Sequence, residues 1–162
     1  MTTPKIRPKP QGLDKPLATR IIKVMSRVNT RVYRMTGGRV GRNWRIMAGF
    51  KKPVPICLLT TTGRKSGRPR TVPLCFLKDG DNILLVASVG GLPANPQWFG
   101  NIQVNPEVEI EIGKQRTAYR ARKATDSERD RLWPQLVELY ADYASYQAWT
   151  DREIPVVICE PA

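Results

Sequence analysis

Three stretches of the 162-residue chain gather residue types that can do chemistry. The first is TTTGRKSGRPR, residues 60–70, where two glycines and a serine lie among Arg64, Lys65, Arg68 and Arg70. A turn of that composition can bind a phosphate, its backbone N–H groups giving direction and its cations giving charge. It is not the GxxxxGK[ST] phosphate loop and no helix follows it, so spacing alone fits a solvated basic hairpin slightly better. The second is VASVGGLPANPQWFGNI, residues 86–102. There Gly90 and Gly91 allow close approach of the backbone to a ligand or simply make a turn, and Trp98 serves a ligand wall or a core equally well. The third is the series Tyr140, Tyr143, Tyr146 and Trp149 at steps of three. Such a stripe is more often core than ligand wall, although buried tyrosine hydroxyls need partners. The chain has no histidine, which excludes His-based triads, His-ligated zinc and imidazole acid/base catalysis. Any chemistry must come from a cofactor or from carboxylates.

The elements that must position these stretches read mostly as strands. VPICLLTT, RTVPLCFL and NILLVAS follow one another at short spacing, with the tight-turn pair Asp79-Gly80 between the second and third. A short helical region is expected around PQWFGNIQ. In EVEIEI, Val108, Ile110 and Ile112 alternate with Glu107, Glu109 and Glu111, which predicts one core face and one solvent face. QRTAYRARKA pairs back across Gly113-Lys114. Thr125 to Glu128 is a capping box opening a helix that Pro134 should kink or restart before it runs to about Trp149. IPVVICE closes the chain. Six short strands with few helices predict an antiparallel barrel rather than a parallel sheet.

Ahead of the strands, residues 1–15 hold three prolines and scattered lysines, the composition of a disordered basic arm. Residues 16–35 read as an amphipathic helix, with Leu17, Ile21, Val24, Met25, Val28 and Val32 on one face and Arg20, Lys23, Arg27, Arg31 and Arg34 on the other. An interfacial helix has that pattern, and a helix capping a barrel has the same apolar stripe. TGGRVGRNWRIMAGFKKP reads as a loop. Residues 36–162 are then the barrel domain. The net charge of +13 resides entirely before residue 53, where fourteen basic side chains face one acid, and the remainder is balanced. The partner of that third is expected to be an anionic surface rather than nucleic acid. Cys57, Cys75 and Cys159 sit singly in strand-like runs, as reduced core residues of a cytoplasmic protein would. No segment has the length of a membrane span or the form of a signal peptide.

Taken together in order, TTTGRKSGRPR, VAS-x-GG with NPxW and Asn101, and LYADYASYQAWTDREIPVVICEP resemble the deazaflavin-dependent nitroreductase family, also described as F420H2-dependent quinone reductases. The resemblance runs from about Lys23 to the C-terminus. It implies a mainly β fold with some α, a split β-barrel like that of FMN-binding relatives with a few flanking helices. It implies coenzyme F420 as cofactor, with Arg64, Lys65 and Ser66 on its phosphate and acidic tail, and Arg70, Thr71, Val72, Pro73, Leu74 and Cys75 running beneath it. Val86, Ala87, Ser88 and Val89, with Gln97, Trp98, Phe99, Gly100 and Asn101, would line the deazaflavin ring and its side chain. Tyr143 would lie over the ring beside Ser88, these two being the catalytic candidates, and Tyr140 and Tyr146 would complete the acceptor pocket with Tyr143. Against the family pattern, Val89 stands where a lysine is usual, and Phe99 and Cys75 stand where tyrosines are usual.

The activity so implied is hydride transfer from reduced F420 to a quinone, menaquinone-like, or to a nitroaromatic acceptor, with the protein supplying position and electrostatics. The helix at residues 16–35 would bring the enzyme to the cytoplasmic face of the membrane. An FMN- or other flavin-binding split-barrel reductase is the alternative enzyme, and a non-catalytic module binding a membrane or another anion is the alternative class.

Overall fold

The computed structural model describes residues 5–12, 15–40, 43–44 and 54–162. The chain begins its ordered elements with helix α1 (Pro16–Met35), which carries proline at its first turn, where a missing N–H costs nothing. The strands are β1 (Asn43–Trp44), β2 (Val54–Thr62), β3 (Pro69–Cys75), β4 (Leu77–Asp79), β5 (Asn82–Val86), β6 (Glu107–Ile112), β7 (Gln115–Lys123) and β8 (Val156–Pro161). Helices α2 (Gln97–Ile102), α3 (Asp126–Leu139) and α4 (Asp142–Ala148) lie between them.

Every pairing is antiparallel. The order is β1-β2-β6-β7-β8-β5-β4, and β3 pairs with the other edge of β2. The two outer strands, β3 and β4, are one run of sequence bent at Phe76, whose N–H reaches Pro55 O at 3.2 Å. The hydrogen-bonded ladder is therefore open, and the covalent chain joins its ends. This is the split-barrel arrangement, with RTVPLCFL serving as two strands rather than one. Inside it pack Cys57, Leu59, Leu85, Ala87, Trp98, Phe99, Ile110 and Cys159. Leu132 and Leu136 of α3 cover the outside of β5 and β8 with Tyr140 and Tyr143.

Four sequence expectations change. Pro134 neither ends nor restarts α3, which runs through it. The one hydrogen bond that proline removes is outweighed by the burial of Leu132 and Leu136 on either side. The break comes instead at Tyr140, whose backbone is extended (φ −141°, ψ 92°). The alternation of β6 fails at Glu111, which is buried although it belongs to the predicted solvent face. Arg34 Nε of α1 and Arg116 Nε each lie 3.2 Å from its Oε2, so a helix covers what a lone sheet would expose. Within the expected loop after α1, Asn43 and Trp44 pair with Pro55 and Val54; residues 41–42 and 45–53 lie outside the described residues. Finally, Arg7 of the expected disordered arm is held on α4. Its N–H meets Ser145 Oγ at 3.0 Å, its carbonyl accepts from Trp149 Nε1 at 2.7 Å, and its guanidinium is 3.6 Å from Asp142.

The seating of α1 separates its two faces. Thr30 and Tyr33 are buried, Tyr33 against Ile56 and Leu58. The Tyr33 hydroxyl donates to Ile56 O at 3.2 Å and accepts from Gly113 N–H at 2.7 Å. The apolar stripe of Leu17, Ile21, Val24, Met25 and Val28 does not cap the barrel: each of these residues is more than half exposed. No helix among the described residues is long and apolar enough to cross a membrane.

Candidate functional site

The β2–β3 turn is wound on itself. Gly63 N–H reaches Arg68 O at 2.9 Å, Ser66 and Gly67 N–H both reach Gly63 O, and Arg68 N–H reaches Ser66 Oγ at 3.4 Å. A Cβ on Gly63 would sit 2.7 Å from Ser66 Oγ and 3.1 Å from Arg68 O, so the wound turn leaves little room for a side chain there. The backbone N–H groups that the sequence reading offers to a phosphate are thus mostly spent within the turn. Arg64 is also committed. Its N–H meets Asn101 Oδ1 at 3.1 Å, and its guanidinium reaches Asn101 Oδ1, Gln97 O and Gln97 Oε1 at 3.0–3.2 Å. Asn101, buried at the end of α2, passes a hydrogen bond on to Thr61 Oγ1 at 3.0 Å. The guanidinium lies where a side chain on Gly100 would be, 2.9 Å from its ideal Cβ. Arg64 therefore latches the turn to α2. Lys65, Arg68 and Arg70 remain, exposed and with no carboxylate partner among the described residues.

Along β3 the side chains alternate. Val72 and Leu74 pack on the barrel interior. Thr71 shares a hydrogen bond with Thr60 at 2.9 Å and meets Arg34 at 3.4 Å, Pro73 is half-buried, and Cys75 touches both other clusters. Val86 at the end of β5 is buried, as are Ala87 and Ser88 after it, and a tight turn follows. Val89 (φ 46°), Gly90 (φ 61°) and Gly91 (φ 75°) are left-handed in succession, a conformation a β-branched residue resists. A Cβ on Gly91 would meet Tyr146 O at 2.8 Å, whereas one on Gly90 would meet nothing within 4 Å. The turn is pressed against α4 on one side and open on the other. Trp98 and Phe99 are buried edge to face, with centroids 6.3 Å apart.

The aromatic series closes on itself. Tyr140 and Tyr146 share a hydrogen bond of 2.7 Å, and Tyr143 packs edge-on against Tyr140 at 4.7 Å. Tyr143 is buried, and its hydroxyl is engaged with the Cys75 thiol. Burial raises the Tyr143 phenol well above its ordinary value, with nearby Cys75 adding to the rise. Burial likewise lifts the Cys75 thiol to about 11, partly opposed by the bond from Tyr143. Both are neutral hydrogen-bond donors near neutral pH.

One residue escaped the sequence reading. Arg152, between Asp151 and Glu153, reads as a solvated charge. In the fold its guanidinium turns inward to the 87–95 segment, donating to Ser88 O (2.9 Å), Leu92 O (3.0 Å), Ala87 O (3.2 Å) and Asn95 Oδ1 (2.7 Å). Desolvation lowers its pKa.

The family described as F420H(2)-dependent quinone reductase matches residues 25–161. A Mycobacterium tuberculosis protein provisionally named an F420H(2)-dependent quinone reductase is 48% identical over 117 residues, 72% of this chain and 98% of that protein. A second from that organism, named an F420H(2)-dependent quinone reductase, is 42% identical over 135 residues, 82% of this chain and 87% of its own. Among solved structures, an F420-H2 dependent reductase is similar with 44% identity and a TM-score of 0.61, over 65% of this chain and 94% of that one. Another, described as a domain-swapped dimer, is similar with 35% identity and a TM-score of 0.63, over 88% and 99%.

Proposed function

Because this chain belongs to the F420H(2)-dependent quinone reductase family, we propose that it transfers a hydride from reduced coenzyme F420 to a menaquinone-like quinone, with nitroaromatics as alternative acceptors. The observation that carries this reading is the exposed triad Lys65, Arg68 and Arg70, uncompensated by acid, beside a turn latched to α2. An anionic phosphate and acidic tail fit that charge, with the Ser66 hydroxyl as a further ligand. Gly90 faces open space, and in this reading the deazaflavin ring would enter there, near Ala87, Ser88 and the Trp98–Phe99 pair. Val86, Val89, Gln97, Gly100 and Asn101 complete that wall in this reading, and Thr71 to Cys75 lie beneath. When bound, reduced F420 supplies the hydride. The chain's own residues bind, orient and exclude water.

Tyr143 and Ser88 are assigned to the acceptor oxygen that gains charge. A phenol held neutral donates rather than accepts a proton, which suits that task. Its bond to Cys75 must be exchanged for one to the acceptor. Tyr140 and Tyr146 would form the adjoining pocket wall. Residues 36–162 are the cofactor-binding domain in this reading. Titration with F420 and with FMN, followed by fluorescence, tests it, together with anaerobic turnover of menadione and a nitroaromatic. Tight F420 binding and quinone turnover are expected. FMN binding in preference to F420 would reject the reading.

Peripheral attachment to the cytoplasmic membrane face forms part of the same proposal. It is supported by the outward apolar stripe of α1 beside exposed Arg20, Lys23, Arg27 and Arg31. Each cation near an anionic leaflet adds about 1 kcal/mol. Co-sedimentation with anionic vesicles that is lost in Leu17→Ser/Ile21→Ser/Met25→Ser is the expected result. A vesicle-independent dimer, dispersed by the same substitutions, would replace the membrane with a second copy.

A further inference from the structure

We propose that Arg152 is a positioning residue that holds the Ser88–Gly91 turn in its cofactor-receiving shape; this rests on the proposed function. A guanidinium is planar and offers five donors in a fixed fork. Here it serves four acceptors, three of them backbone carbonyls spread over Ala87, Ser88 and Leu92. Those acceptors bracket the three successive left-handed residues Val89, Gly90 and Gly91. Such a backbone is costly unless its surroundings over-determine it, and Arg152 is the group that ties both ends of it.

The anchor is itself fixed. The Arg152 carbonyl accepts from Gln147 Nε2 at 2.8 Å, and Gln147 Oε1 accepts Ile154 N–H at 2.9 Å and Arg129 Nη2 at 3.0 Å. Gly91 meanwhile lies against Tyr146 with no room for a side chain. The turn is thus pinned to α4 and to the segment before β8.

The orientation has a consequence for binding. In a trans peptide the N–H points opposite to the C=O, and the chain has no cis bond among the described residues. With the carbonyls of Ala87 and Ser88 drawn to Arg152, the N–H groups of Ser88 and Val89 point away from it. Neither is bonded to another backbone group of the described residues. Ser88 is αR (φ −82°, ψ −40°) and Val89 left-handed, the sequence of conformations that gathers successive N–H donors toward one electronegative atom. Arg152 thereby aims two backbone donors at whatever oxygen enters the open side beside Gly90. A lysine keeps the charge but cannot serve four divergent acceptors, so the function depends on the fork rather than on the charge alone.

The test compares wild-type protein with Arg152→Met, Arg152→Lys and Asn95→Ala, the last removing only the outermost bond. Amide exchange of residues 86–95 is measured without cofactor, F420 affinity by fluorescence, and KM and kcat with menadione. In Arg152→Met, exchange in the turn should rise about tenfold or more while β5 and β8 keep their protection. The F420 dissociation constant and the KM for F420 should each rise about tenfold. Arg152→Lys should recover only part of this, and Asn95→Ala should show a smaller change of the same sign. If Arg152→Met fails to fold, the lysine and Asn95 variants decide alone. Wild-type exchange and F420 affinity in the variants would overturn the inference, as would accelerated exchange with unchanged affinity. If wild-type protein itself does not bind F420, the functional reading falls, while the exchange measurement still shows whether Arg152 holds the turn.

Discussion

Asn101→Ala should loosen the latch between the cationic turn and α2, and its cost can be worked from the contacts. Asn101 is 4% exposed and makes three hydrogen bonds there. Thr61 is 1% exposed, so losing its donor leaves an acceptor in a site that water cannot enter, worth about 1–2 kcal/mol. The Arg64 N–H and guanidinium sit at the exposed turn, where water replaces the lost acceptor, and each adds about 0.5 kcal/mol. The sum is about 2–3 kcal/mol, equivalent to about 5–10 °C in Tm for a domain of this size. Calorimetry measures that shift, and F420 affinity should weaken severalfold because the turn no longer holds Lys65 and Arg70 in register with α2. Asn101→Asp separates the halves, since it keeps the acceptor for Arg64 and loses the donor to Thr61. A Tm within about 2 °C of wild type, with unaltered F420 affinity, would refute the latch.

Lys65→Ala and Arg70→Ala should each weaken F420 binding at low salt by about fivefold, since a charge pair at the surface contributes about 1 kcal/mol, and the loss should shrink as salt screens it. Equal affinities at low salt would remove these cations from the site. Tyr143→Phe should lower quinone turnover while F420 affinity stays within about twofold. A fall in affinity with turnover per bound cofactor unchanged would move Tyr143 from acceptor to cofactor. Glu128, gripped by both guanidinium nitrogens of Arg122 at 2.8 Å and by Thr125 N–H, has its carboxyl lowered to about 2. A depressed carboxyl stabilises the fold fully above its unfolded value of about 4.5 and ceases to as pH falls toward 2. The stability gap between wild type and Glu128→Gln should be constant above pH ~5 and close below it; a gap independent of pH would contradict the shift.

Features that depend on near neighbours are legible in the sequence. The bounds of α1, the Asp79-Gly80 hairpin, the capping box at Thr125 and the six strand-like runs follow from periodicity, turn chemistry and caps, all of which act within a few residues. The ordered motifs likewise led to the family and to F420. Which distant groups meet is set by the fold. Arg64 reaches Asn101 across 37 residues, Arg152 reaches Ser88 across 64, and Tyr143 meets Cys75. The fold gives both Arg64 and Arg152 partners that lie far away in sequence. Glu111 shows the same limit, because its alternation is correct for a sheet and only the position of α1 makes it interior. Local pattern sets which face a side chain takes; strand order sets what lies opposite that face. A hydrogen bond between distant residues depends on the second, which no short window of sequence contains.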